Sequence, residues 1–129
     1  MKSYPESGWT EKFLIKGRFN VQKYEKGGGY KTWHFENTGD ESEVHRHLVF
    51  MTYLNDVPDG GTMFKYQNIT VPAIKGLTLI FPAAFTHTHK SQVSSEFEKM
   101  IVTGWYSFER IYQRFESEYV NYVLEKEDE

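Results

Sequence analysis

YKTWHFENTGDESEVHRHLVFMTYLND, residues 30–56, carries the reading of the fold. Two stretches rich in aromatic and β-branched residues, YKTWHFE (30–36) and VHRHLVFMTYLND (44–56), flank the polar run NTGDESE (37–43). That composition predicts strand, exposed turn, strand. Working outward, FLIKGRFNVQKY (13–24) predicts one or two short strands, and Gly27, Gly28 and Gly29 a turn. PDGG (58–61) predicts a turn, TMFKYQ (62–67) and NITVPA (68–73) strands, with Pro72 at an edge or a strand end. LTLIFP (77–82) and KMIVTGWYSF (99–108) predict two more strands, separated by a loop, AAFTHTHKSQVSSEFE (83–98). The tail changes period: Ile111, Phe115, Tyr119, Tyr122 and Leu124 predict an amphipathic helix that packs on its own domain. Many short strands and one terminal helix predict an all-β sandwich or barrel.

The 129 residues suffice for one domain, residues 1–129, with a core over about 13–108 and a helix over about 109–125. A formal net charge of −3 offers no positive field for a nucleic-acid backbone. The chain has no cysteine, which excludes disulfides, zinc fingers, iron–sulfur clusters and thiol nucleophiles. No stretch approaches the length of an apolar membrane span, and the N-terminus has no signal-peptide core. A cytoplasmic location without nucleic-acid or membrane partners is the expectation.

The chemistry rests on five histidines. His34 and Glu36 are two apart in a predicted strand and so share a face. Turning both toward an aromatic-rich interior is costly unless something compensates. A metal does: two imidazoles and one carboxylate on one face of an octahedral ion form the facial triad of non-haem iron(II) oxygenases. The third ligand must be a distant histidine, and His87 and His89 are the candidates. His45 and His47 also share a face, with Arg46 pointing the other way. Lys99, Ile101, Thr103 and Trp105 share one face of their strand. If that face is internal, Lys99 is buried and needs an anion. No acid of the chain is an obvious match, so a bound carboxylate ligand is the expectation, with the Tyr53 hydroxyl as a second contact.

Taken together, NVQKYEKGGGYKTWHFEN, LVFMTYLNDVPDGGTMF, VPAIKGLTLIFPAAFTHTH and KMIVTGWYSF resemble the prolyl-4-hydroxylase-like branch of the iron(II)/2-oxoglutarate-dependent dioxygenases. The resemblance spans roughly residues 20–106 and is nearest to the short forms of marine bacteria and their phages. It implies a double-stranded β-helix (jelly roll), with Fe(II) and the cosubstrates 2-oxoglutarate and O2. It implies His34, Glu36 and His87 as metal ligands, and Lys99 and Tyr53 on the far carboxylate of 2-oxoglutarate. It further implies Tyr24, Thr103 and Trp105 around the cofactor and Tyr30 on the substrate side, and leaves His89 behind the ligands, on the substrate side or near the 2-oxoglutarate entry. Glu36 stands where most relatives have aspartate, and Lys99 where many have arginine. The implied substrate is peptidyl proline, with other peptides, proteins or small molecules open. The N-terminal helices of larger relatives are nearly absent, which leaves the C-terminal helix or a second subunit, in a homodimer, to cover the larger sheet. Two alternatives stand: a cupin-like metal protein using His45, His47 and His87 or His89, and a non-catalytic jelly-roll binding module.

Overall fold

The computed structural model describes residues 4–127, with side chains through Glu118. The strands are β1 (Phe13–Ile15), β2 (Asn20–Tyr24), β3 (Arg46–Tyr53), β4 (Val57–Phe64), β5 (Ile69–Ala73), β6 (Thr78–Pro82), β7 (His89–Ser91) and β8 (Lys99–Phe108), followed by helix α1 (Glu109–Glu127). They form two antiparallel sheets. In the larger, β1 and β2 pair with one edge of β8, β3 with the other, and β6 lies beyond β3; the smaller has the order β5-β4-β7. This is the expected jelly roll.

Alternation decides what lies between the sheets. Val49, Met51 and Tyr53 of β3 are buried, in register with Trp105, Thr103 and Ile101 of β8. Met51, Tyr53 and Ile101 of the larger sheet pack with Val57 and Ala73 of the smaller. Val49, Phe81 and Ala83 pack with Phe64. Each fully buried side chain of this size contributes about 1.5–3 kcal/mol. The other face of the larger sheet is more open, with Val21, Ile80 and Ile15 exposed. No described helix is long and apolar enough to cross a membrane.

Three sequence expectations are corrected. YKTWHFE is not a regular strand: it is extended and joins the sheet through a single bridge, His34 with His89. PDGG does not turn the chain but lies inside β4, across a register shift between Val57 and Thr62. A Cβ on Gly61 would sit 2.0 Å from the Val71 carbonyl oxygen, so glycine is required there by backbone approach. The loop 83–98 contains a 3₁₀ turn (Phe85–His87) and the three-residue strand β7.

The helix packs on its own domain, through Tyr112 and Phe115 against the His45 ring at centroid distances of 5.0 and 5.1 Å. Ile111, expected on the buried stripe, is 39% exposed; Tyr119, Tyr122 and Leu124 lie outside the described side chains.

Candidate metal centre

The bridge between His34 and His89 is the local cause of the site. Each residue donates its backbone N–H to the other's carbonyl, at 3.0 and 2.9 Å, so the two side chains stand on one face, with rings 4.3 Å apart. Two residues on, the Glu36 N–H is held by the Ala83 carbonyl at 3.1 Å, which keeps its side chain in phase with His34. Glu36 Oε1 lies 3.3 Å from His34 Nε2 and 3.2 Å from His89 Nε2. One ligand atom from each of the three residues falls within 4.8 Å of the others.

Both imidazoles are oriented from behind. His34 Nδ1 lies 2.9 Å from the Thr32 carbonyl and His89 Nδ1 2.7 Å from the His87 carbonyl. A carbonyl only accepts, so Nδ1 of each ring donates outward and leaves Nε2 as the atom that faces Glu36 and that a metal would take up on losing its proton. Burial alone would lower the His34 pKa, but hydrogen bonds to Glu36 and the Thr32 carbonyl outweigh it and raise it. Burial pushes Glu36 upward, yet its hydrogen bonds to His34 and His89 prevail and bring it down to about 2. The carboxylate is therefore ionised at neutral pH. Two imidazole nitrogens and one carboxylate oxygen, all converging, suit a divalent transition metal such as iron(II).

The expectation that His87 completes this set is corrected. His87 closes the 3₁₀ turn, its Nδ1 pairs with Thr86 Oγ1 at 3.0 Å, and its ring lies against Phe81. His89 is the first residue of β7, opposite Phe64 and bridged to His34, which turns it inward. His87 contributes its carbonyl, not its ring. The other pair does not assemble either. His45 is bound to Ser107 Oγ at 2.9 Å and the Ser42 carbonyl at 3.1 Å, while His47 packs between Phe13 and Phe108. Among the described residues, His34, Glu36 and His89 are the one group of three such side chains placed to hold a metal.

A cleft of about 380 Å³ opens beside the centre, lined among others by Tyr24, Tyr30, Thr62, Ile101, Thr103 and Trp105. Tyr30 stacks on His34 at 4.1 Å, and the Tyr24 hydroxyl donates to Gln22 Oε1 at 2.7 Å. Lys99 is 4% exposed. Its Nζ donates to the Gly60 and Gln92 carbonyls at 3.0 and 3.2 Å and lies 5.6 Å from the Tyr24 ring centroid. No carboxylate of the described residues pairs with it, and burial lowers its pKa to about 8. Tyr53 is buried, with its hydroxyl 2.5 Å from Thr62 Oγ1, so it meets the cleft through Thr62.

Sequence reasoning missed Arg46. Strict alternation aims it away from the interior, but β3 carries a bulge between Arg46 and Leu48 that turns it inward. Its guanidinium lies 3.9 Å over the Trp105 ring. Nη1 donates to the Glu36 carbonyl at 3.1 Å and lies 3.8 Å from Glu36 Oε2 and 3.4 Å from Glu43 Oε1. Arg46 Nε and Trp105 Nε1 are buried with no partner among the described residues. The sequence holds no signal for the bulge; Thr62 was equally hidden, a residue of ordinary strand composition.

Fold and donor set together define a jelly-roll protein with a two-histidine, one-carboxylate metal centre. Residues 19–107 match the 2OG-Fe(II) oxygenase superfamily, and the chain belongs to that family. Its cofactors are accordingly Fe(II), 2-oxoglutarate and O2. Among solved structures it is similar to a Pseudomonas putida prolyl-4-hydroxylase, with TM-score 0.58 and 22% identity over 70% of this chain and 51% of that one. It is also similar to the viral collagen prolyl hydroxylase of Paramecium bursaria Chlorella virus-1, solved as a 2-oxoglutarate complex, with TM-score 0.57 and 19% identity over 70% of this chain and 60% of that one. A Phytophthora capsici prolyl 4-hydroxylase gives TM-score 0.59 at 22% identity, over 71% of this chain and 32% of that one. The chain thus spans about half, or less than two-thirds, of the length of these relatives. No curated protein sequence matches it.

Proposed function

We propose that the chain hydroxylates a prolyl residue of a peptide, with His34, Glu36 and His89 holding the iron. The observation that carries the cosubstrate half of this reading is Lys99: a buried ammonium, on the inward face of β8 that also carries Ile101, Thr103 and Trp105, with two carbonyls and no carboxylate for company. A dicarboxylate fits it by supplying the missing anion. The bound iron, with 2-oxoglutarate and O2, supplies an oxidation that splits the cosubstrate into succinate and carbon dioxide and leaves one oxygen atom on the substrate.

The protein's own part is to bind, orient and shield. Lys99 neutralises the far carboxylate of the cosubstrate. Thr62, held by Tyr53, presents a hydroxyl to the cleft, and Tyr24, Ile101 and Thr103 exclude water from its wall. Arg46 steadies Glu36 from the side away from the imidazoles. The prolyl hydroxylases to which the chain is similar support a prolyl peptide as the substrate.

The test is succinate release by the iron-loaded protein with 2-oxoglutarate and panels of prolyl peptides, free amino acids and other small molecules, with mass spectrometry of each product. A prolyl peptide gaining one oxygen in step with succinate is the expected result. Coupled turnover only with a substrate that lacks proline would sink the prolyl reading and leave the dioxygenase intact.

A further inference from the structure

The strand residues that turn the site histidines inward turn their neighbours outward. Trp33 precedes His34, Lys90 follows His89, and Lys65 follows Phe64. Phe64 and His89 are opposite each other in the β4–β7 ladder, so Lys90 and Lys65 emerge on the other face, in diagonal positions about 7–8 Å apart. Trp33 lies beside both: Lys90 Nζ is 4.5 Å and Lys65 Nζ 5.8 Å from its ring centroid. Lys65 Nζ is also 5.5 Å from the Tyr66 ring, and Tyr66 is 66% exposed. The group is held in place. The Lys65 N–H is bound to the Thr88 carbonyl and Gln67 Nε2 to the Thr86 carbonyl, both at 2.9 Å, which pins the 65–68 turn to the segment leading into His89.

Two ammonium groups gathered around one indole ring repel each other, and the ring face relieves only part of that. Neither pairs with a carboxylate among the described residues, in a chain whose formal charge is −3. Lys90 is bonded to His89 and borders the cleft, so the strip begins at the rim of the place where a substrate must lie and runs away from it on the other face. We propose that Trp33, Lys65, Tyr66 and Lys90 form a docking strip for an acidic segment of the peptide substrate, next to the residue that is oxidised. Calling the ligand a substrate rests on the prolyl-hydroxylase reading; the binding of an acidic peptide does not.

Two lysines are too few for a nucleic acid, which needs a track of about 6–10 phosphate contacts. They are also short of the about 4–8 basic residues by which a protein reads an anionic membrane. Two carboxylates of a peptide match the count, and exposed aromatic rings suit its side chains.

The test uses the full chain and fluorescence anisotropy with three labelled probes: a short proline-containing peptide with glutamates flanking the proline, the same peptide with glutamines, and a short oligothymidylate. Wild type is expected to bind the glutamate peptide about tenfold more tightly than the glutamine peptide, the gain of two exposed ion pairs. K65E/K90E is expected to lose that preference while keeping its melting temperature. K65A should fall between. Equal affinity of wild type for the two peptides, an unchanged preference in K65E/K90E, or tighter binding of the oligothymidylate would each overturn the proposal. Succinate release separates the two readings. Glutamate-selective binding without oxidation of any prolyl peptide leaves the strip and removes the prolyl reading. Equal kcat/KM for the two peptides leaves the prolyl reading and removes the strip.

Discussion

His87 and His89 are two residues apart and of one type, yet only His89 faces Glu36. The difference makes a clean experiment. H89A is expected to lose iron affinity by more than about a hundredfold, since it removes a ligand, where losing an outer partner costs 10–100-fold. H87A should bind iron nearly as wild type does, because its contribution is a main-chain carbonyl that alanine keeps. Iron titration under anaerobic conditions reads both. Lys99 gives a second prediction at this scale. Its pKa is lowered by burial to about 8, and an anionic cosubstrate requires the protonated form. Affinity for 2-oxoglutarate should be level below about pH 8 and fall by about tenfold per unit above it, until the pKa of the bound state is reached. Stability of the ligand-free protein moves the other way. Because the folded pKa lies below the unfolded 10.5, the unfolded chain holds more protons between the two values, and this group's contribution improves as pH rises through that window. Calorimetric titration and thermal melts across pH 7–10 check the two signs. Arg46→Met is expected to weaken iron binding by about 10–100-fold without removing it, by releasing Glu36 on one side.

At the level of elements, legibility followed regularity. The alternation of β8 put Lys99, Ile101, Thr103 and Trp105 on one face, and the structure keeps them together and turns that face inward, because a ten-residue strand with no bulge obeys period two. The same rule failed in β3, where one bulge reversed Arg46, and bulges leave no mark in composition. It failed for β7, whose three residues, HKS, have no strand composition and are held by their neighbours' ladder. PDGG read as a turn because glycine serves turns and close backbone approach alike. The pair His34 and Glu36 was legible by spacing, although what holds it is a bridge rather than a full strand. Which histidine joins that pair was not legible, since whether His87 or His89 turns toward Glu36 depends on where a 3₁₀ turn ends. A comparison of two glycines tests this view of the sheets. A Cβ at Gly104 would meet the Phe50 ring at 2.3 Å, and one at Gly61 the Val71 carbonyl oxygen at 2.0 Å. The half-buried ring can turn aside and the backbone cannot. Gly104→Ala should cost about 1–3 kcal/mol and Gly61→Ala more, read from denaturant midpoints.

The whole molecule is a two-sheet sandwich with three charged or titratable groups bordering its cleft and a buried lysine in its interior. Both features cost stability until ligands arrive, so melting temperature should respond to them in order. Iron alone is expected to stabilise, and 2-oxoglutarate to add to it only when Lys99 is intact. At about a hundredfold excess over the dissociation constant, each ligand supplies about 2.7 kcal/mol. Thermal melts of wild type and Lys99→Ala with iron, 2-oxoglutarate, both and neither test this; equal shifts by 2-oxoglutarate in the two proteins would remove Lys99 from cosubstrate binding.

The carbonyls of Thr32 and His87 that hold the two imidazoles bear on which element the protein carries. A centre whose ligands are fixed in advance does little to choose among ions of similar size. Copper, nickel and zinc all stand above iron(II) in the Irving–Williams series, and imidazole nitrogens accept each of them. Occupancy therefore follows supply: protein prepared over nickel resin or in zinc-bearing medium should emerge inert and loaded with the wrong ion. Chelation followed by anaerobic iron should restore turnover without any refolding step, because the ring orientations are written into the main chain rather than taught by the metal.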